Sequence, residues 1–431
     1  MEYTKKLLSL IPGGAHTYSR GYDQFPSNAP EILKRGKGAY IYDINDKEYL
    51  DYGMALRAVI LGYADEYVNN FVIENAINMG NNLTRPSLIE LQAAELFVDL
   101  IPSVEMVKFA KNGSNVTTAA VKLARAYTGR DLVARCADHP FFSFDDWFIG
   151  STVMDKGVPE TIKNLTKTFK YGNIQDLERL FNEYPNQIAC VIIEPATISH
   201  PPEGYLQKVK DLCHKNGALF ILDEMITGFR WHLKGAQYYY NVEPDLCTFG
   251  KAMANGFSLA ALGGKREIMK LGSIEFEGQE RVFLLSTTHG AEMSALAAFI
   301  ATVKVMQEKD VIKHIWGYGR RLIDLINEKA KEYGIRDYFI ATGVECSPYY
   351  LTYDENKEVS LAFKTLFMQE MLKKNVFMPW IALSLSHGEV ELEKTAEALD
   401  HALKVYSLAL EDGYEKYLQG HIVKPVFRKY N

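Results

Sequence analysis

Cysteine is scarce and scattered in this chain. The five residues Cys136, Cys190, Cys213, Cys247 and Cys346 are odd in number and form no C-x-x-C pair. That excludes a disulfide scaffold or a thiolate zinc site and favours a reducing compartment, with the thiols buried. Long apolar runs are missing too. The opening MEYTKKLLSLIPGGAH meets Pro12, Gly13 and Gly14 too soon for a signal core or a membrane span. Neither sign of charge dominates: 48 basic against 54 acidic residues argue against broad binding of nucleic acid or anionic membrane. The ten histidines make no H-E-x-x-H and no cluster of metal spacing, so His289 and His387 are read as loop or core residues and no metal is expected. Repeats and low-complexity tracts are absent. These absences read as a soluble cytoplasmic protein.

What is present is ample core. A chain of 431 residues, 47% of them hydrophobic, suffices for a large domain carrying a smaller one. AYIYDINDKEYLDY (39–52) alternates around an Asn-Asp turn and reads as a β-hairpin. From about residue 105 short apolar runs (EMVKFA, DLVARC, QIACVIIEP, ALFILDE, PDLCTFG, LAALGG) alternate with helical segments. That alternation predicts an α/β fold with a mainly parallel sheet and helices on both faces. After Gly290 the pattern turns helical, with short strand candidates at YFIATGV and PYYLTYD. The expected division is 1–59 as an N-terminal segment packing with the small domain, 60–290 as the large domain, and 291–431 as the α+β small domain.

Ligands of open parallel sheets sit at the carboxyl ends of the strands, and three strand ends here carry unusual residues. KFA leads into Lys111-Asn112-Gly113-Ser114-Asn115 before a helix; ALFIL ends in Asp223-Glu224; DLCTF ends in Gly250-Lys251. A Gly-Ser turn feeding a helix suits a phosphate, although Ser114 equally suits a plain helix cap. Two carboxylates ending a buried strand need a charged partner. Gly250-Lys251 is not a Walker loop, because Ala252 follows and no glycine stands five residues earlier. Pyridoxal phosphate explains all three ends: a lysine captures its aldehyde, a helix N-terminus cradles its phosphate, and a buried carboxylate keeps its ring nitrogen protonated.

These residues resemble a known family. The stretch from Asp223 to Met269, with IPGGAHTYSR, KNGSNVTTAAVKLARAYTGRD and VIIEP in order before it, is similar to the class III, fold-type-I pyridoxal-phosphate aminotransferases. The likeness spans nearly the whole chain and is strongest to the glutamate-1-semialdehyde 2,1-aminomutase branch. It implies a seven-stranded, mainly parallel sheet and a homodimer with shared active sites. It also implies Lys251 as Schiff-base lysine and proton shuttle, Asp223 on the pyridine nitrogen, and Gly113 and Ser114 on the phosphate. Thr287 stands where the family supplies a phosphate contact from the partner subunit. Glu194 and Glu224 match family acids near the cofactor and are read as supporting residues. Met225 replaces a small residue beneath the ring. Phe141 and Phe142 occupy the segment over the ring's outer face, in one of two registers.

The departures lie in the substrate pocket. The aminomutase tryptophan is Leu56, followed by Arg57; Arg20 falls where that enzyme binds the substrate carboxylate; the Asn-Pro after the cross-dimer glycine is Ala291-Glu292. The implied function is an aminotransferase taking an amine donor and a small oxo acid or oxo sugar. Intramolecular amine transfer, another reaction of the same cofactor, and a non-catalytic cofactor-binding homologue are the alternatives.

Overall fold

The computed structural model describes residues 2–431 and divides into two compact units. One comprises the chain up to Asp65 together with 313–428; the other is Glu66–Ile312 with the last three residues. The boundaries differ from those expected at 60 and 290. The helix Met293–Glu308, assigned from sequence to the small domain, instead packs on the helices Glu66–Asn75 and Leu88–Leu100. Its cause is apolar side chains around the whole circumference (Ala295, Leu296, Ala297, Ala298 and Phe299 are consecutive and all buried), which need cover on every side.

The larger unit is built on a seven-stranded sheet. Its order is Met106–Ala110, Ala260–Gly264, Leu246–Phe249, Leu219–Glu224, Ile188–Ile193, Leu132–Cys136, Thr166–Phe169. Ala260–Gly264 runs antiparallel to both neighbours, while the other paired strands run parallel. Every residue of Ile188–Ile193 and Leu219–Glu224 is buried, as continuous Ile/Val/Leu runs covered on both faces require. Six strands follow the apolar runs seen in the sequence. Thr166–Phe169 does not, because TKTF alternates at the sheet edge and offers too little apolar signal. The five cysteines are all buried and none forms a disulfide.

The smaller unit holds a four-stranded sheet in the order Leu33–Lys37, Tyr40–Asp43, Glu48–Asp51, Val376–Phe377, the last strand parallel to its neighbour. A two-stranded hairpin, Phe339–Val344 with Ser347–Thr352, lies beside the helices Leu361–Lys373 and Glu389–Asp412. After the Glu48–Asp51 strand the backbone does something unusual. Met54, Ala55, Leu56 and Arg57 have φ of 39°, 48°, 62° and 69°. Four consecutive non-glycine residues in the left-handed region cost roughly 1–2 kcal/mol each, so local contacts must hold them. Asp51 accepts hydrogen bonds from the Gly53 and Met54 amides and from the Tyr63 hydroxyl. Tyr63 in turn accepts from Ala55 N–H, and Trp380 Nε1 donates to Gly53 O. Among the described residues no helix is long and apolar enough to cross a membrane, and no His/Cys/Asp/Glu group has metal-binding spacing.

Candidate active site

Within the larger unit, the carboxyl ends of neighbouring strands bring the sequence candidates together. Asp223 and Glu224 close Leu219–Glu224; Glu194 follows the adjacent Ile188–Ile193; Gly250 and Lys251 follow Leu246–Phe249 on the other side. Gly113 and Ser114 open the helix after Met106–Ala110.

Asp223 is 2% exposed. Its Oδ1 accepts from Met225 N–H at 2.9 Å and from the Thr248 hydroxyl at 3.0 Å, so both of its hydrogen bonds fall on one oxygen. Burial raises its carboxyl to about 6, against the Met225 amide, the Lys251 charge and the Thr248 hydroxyl, which lower it. The arrangement is a carboxylate held in one orientation with Oδ2 left over. Glu224 differs entirely. Both of its oxygens are taken, by the Thr227 hydroxyl, the amides of Ala236 and Gln237, and the Gln237 side chain. Burial pushes its carboxyl up to about 7. Glu224 thus ties its strand to the helix Gly235–Tyr239 and has no lone pair set aside for chemistry.

Lys251 starts the 3-10 turn Lys251–Ala254 with φ of 35°. A lysine held left-handed directly after a strand is backbone strain of the kind that clusters at functional sites. Met225 lies between the lysine loop and the phosphate-type loop. A methyl group added at Gly113 would stand 2.9 Å from its sulfur, and one at Gly250 2.6 Å. Its thioether occupies the space that both glycines vacate.

The helix Gly113–Thr128 is capped by Asn112, whose Oδ1 accepts from Asn115 N–H at 3.0 Å. Ser114 is therefore not the cap; it lies inside the first turn, and its hydroxyl accepts from Phe144 N–H at 3.0 Å. The Gly113 and Ser114 amides keep no acceptor within the chain, as first-turn amides of a helix do. Ser114, with Thr117 donating to Phe142 O and Thr118 donating to Asp145, fastens the 139–148 segment onto this helix. In that segment Phe142 is 2% exposed and packs against Phe148 and His139, while Phe141 is 47% exposed. Phe142 is thus a core side chain, and of these two phenylalanines Phe141 presents its ring outward.

Glu194 is buried, and its amide donates to His139 Nδ1 at 3.0 Å. That bond places the ring proton on Nε2, which is buried without a partner; burial lowers the His139 pKa to about 4. Thr287 is exposed in a turn closed by Gly290 N–H on its carbonyl. Asn112, His139 and Thr248 escaped the sequence analysis. Asn112 alone had a signal, as a cap residue one position before the glycine.

In the smaller unit, Arg20 and Leu56 line one cavity of about 250 Å³, together with Tyr22, Phe25, Tyr63 and Trp380. Arg57 follows Leu56 in the left-handed turn but is not on that wall.

Comparison with known proteins bears on both units. Residues 18–347 match the family described as aminotransferase class-III. The chain is 30% identical over 415 residues to the glutamate-1-semialdehyde 2,1-aminomutase of Francisella philomiragia subsp. philomiragia, covering 91% of this chain and 94% of that one. Among solved structures, the PLP internal aldimine form of the FumI protein of Sphingopyxis sp. MTA144 superposes with a TM-score of 0.86 at 24% identity, covering 97% of each chain. An omega-transaminase from Sphaerobacter thermophilus gives 0.82 at 24% identity, covering 94% of this chain and 97% of that one. The fold is that of the fold-type-I transferases, and with a family match over most of its length the chain belongs to the class-III aminotransferases.

Proposed function

We propose that this chain is a pyridoxal-phosphate aminotransferase that moves an amino group from an amine donor to a small oxo acid or oxo sugar. The observation that carries it is the buried Asp223 with both hydrogen bonds on Oδ1 and Lys251 beside it. The residues present fit the cofactor. Oδ2 has a lone pair for a ring N–H, the Gly113 and Ser114 amides have none of their own acceptors, and Phe141 offers a ring face.

When bound, the cofactor supplies an aldehyde that captures amines and a cationic ring that withdraws electrons. Asp223 holds the proton on the ring nitrogen, because a cation against Oδ2 offsets the burial that otherwise keeps the carboxyl protonated. Gly113 and Ser114 bind the phosphate with two amides at the positive end of a sixteen-residue helix. Lys251 Nζ would hold the aldehyde and, as a free neutral amine, would serve as the base and acid that moves the donor-carbon proton. Met225 and Phe141 would be the side chains that cover the ring. Glu194 and Glu224 support these groups, Arg20 and Arg57 meet the substrate, and Thr287 completes the phosphate site of a second copy in a homodimer.

A second reading is intramolecular amine transfer, favoured by the aminomutase relative at 30% identity and opposed by Leu56 in place of that branch's tryptophan. One experiment separates the two. Enzyme converted to its pyridoxamine form is mixed with candidate acceptors, and recovery of the pyridoxal absorbance shows transamination. Conversion of glutamate-1-semialdehyde with no added donor and no other acceptor accepted would establish the mutase instead.

A further inference from the structure

We infer that the ion pair between Lys111 and Glu292 fastens the turn carrying Thr287 to the loop of the Gly113 and Ser114 amides, and that the grip on the phosphate depends on this fastening. The inference rests on the cofactor reading and adds two positioning residues to it.

Both partners lie in the larger unit. Lys111 is the first residue after the strand Met106–Ala110 and stands two positions before Gly113. Its carbonyl accepts from the Ser258 hydroxyl at 2.6 Å, and its Nζ is 3.1 Å from Glu292 Oε2. Glu292 ends the turn that carries Thr287. Its amide donates to His289 O at 3.2 Å, and Gly290 N–H donates to Thr287 O at 3.1 Å. Its second oxygen, Oε1, accepts from the Ser294 hydroxyl in the first turn of the helix Met293–Glu308. That helix start is itself tied down, because the Met293 amide donates to Asn81 O at 2.7 Å. Glu292 therefore bridges a fixed helix and the loop before Gly113. The Ser294 hydroxyl, with Lys111 behind it, holds the Glu292 carboxyl below its usual range against the burial that raises it, so the carboxylate is ionised at neutral pH.

The turn lies directly on the strand end. A methyl group added at Gly290 would stand 2.5 Å from Thr287 Oγ1 and 3.5 Å from Phe109 O, two residues before Lys111. Glu292 stands where the family has proline, and its φ of −54° is one that a proline ring fixes by itself. A glutamate has no such ring, and Lys111 supplies the anchor through charge. The two side chains are only 21% and 28% exposed, so the pair differs from fully solvated ones that contribute almost nothing. Removing either partner leaves the other charge poorly solvated.

Full-length protein freed of cofactor is titrated with pyridoxal phosphate and with pyridoxal, which lacks the phosphate. The wild type should prefer the phosphate ester. Lys111→Met and Glu292→Gln should each lower that preference about fivefold while pyridoxal affinity holds, a split that a general loss of structure would not produce. The double variant should fall no further than the weaker single one, since both changes remove the same interaction. Were Lys111 itself the phosphate cation, Glu292→Gln would release it and raise the preference; that result overturns the inference. Unchanged preference in both single variants, equal losses for the two ligands, or losses that multiply in the double variant overturn it too. Should Lys111→Met not fold, Lys111→Arg must keep the preference while Glu292→Gln lowers it. A wild type that binds the two ligands equally, or a borohydride tag that misses Lys251, sinks the cofactor reading and the inference together. A wild type with the preference and the tag, beside unchanged variants, sinks the inference alone.

Discussion

At the scale of single residues the proposed chemistry rests on two side chains with opposite demands. Lys251 must be a displaceable amine. Reducing the loaded enzyme with borohydride and mapping the tagged peptide should place the tag on Lys251, and Lys251→Ala should cut turnover at least about 10²–10⁴-fold, the range of a lost general acid-base group. Asp223 must stay ionised in a buried place. Its folded pKa, about 6, lies above the ordinary 3.8. In the cofactor-free protein its stabilising contribution is therefore full below pH 3.8 and is lost as the pH rises through 6. Asp223→Asn should accordingly make the cofactor-free protein more stable at pH 7, by about 3 kcal/mol, while the cofactor stabilises it less than it does the wild type. Thermal unfolding with and without pyridoxal phosphate at pH 4 and 7 reads both effects. A wild-type protein that gains no stability from the cofactor relative to the variant would remove Asp223 from its proposed role. These two positions stood out in the sequence because each ends an apolar run with a charge. Thr248 and His139 did not, because a threonine within such a run reads as ordinary core and a histidine before a proline reads as ordinary loop.

At the scale of elements, helix starts and turns fix the geometry. Asn112→Ala should cost about 1 kcal/mol of stability through the lost cap and weaken cofactor binding by misaligning the Gly113 amide; denaturant unfolding and a cofactor titration measure the two. Gly235→Ala is more severe. Gly235 has φ of 82°, and its added methyl would stand 2.7 Å from Glu224 Oε1. The expected loss is about 2 kcal/mol or more, a fall in Tm of at least about 4 °C. A Tm within a degree of wild type would mean that Glu224 is not clamped as described. The sheet strands were readable because fully buried strands need unbroken Ile/Val/Leu runs. The left-handed turn at 54–57 was not, because nothing in Met-Ala-Leu-Arg prefers positive φ; the turn is imposed by Asp51 and Tyr63.

At the scale of the whole molecule, the chain leaves the smaller unit at Asp65 and returns to it at Lys313. The proposed homodimer has a direct test. Lys251→Ala and Thr287→Ala variants, each impaired at limiting cofactor, should recover about a quarter of wild-type activity when mixed, since random pairing makes half the dimers hybrids with one intact site. No recovery after confirmed subunit exchange would place Thr287 outside a shared site. The sequence by itself determined the α/β class, six of seven strands, the family, and the Asp223, Lys251 and Gly113 constellation. It could do so because buried parallel strands and cofactor-bearing strand ends impose local residue patterns. Only the tertiary structure decided which phenylalanine faces outward, that Glu224 is fully occupied, that Asn112 rather than Ser114 caps the helix, and where the units divide. Those outcomes depend on which distant atoms fill a given volume or accept a given proton, and no stretch of neighbouring residues encodes that.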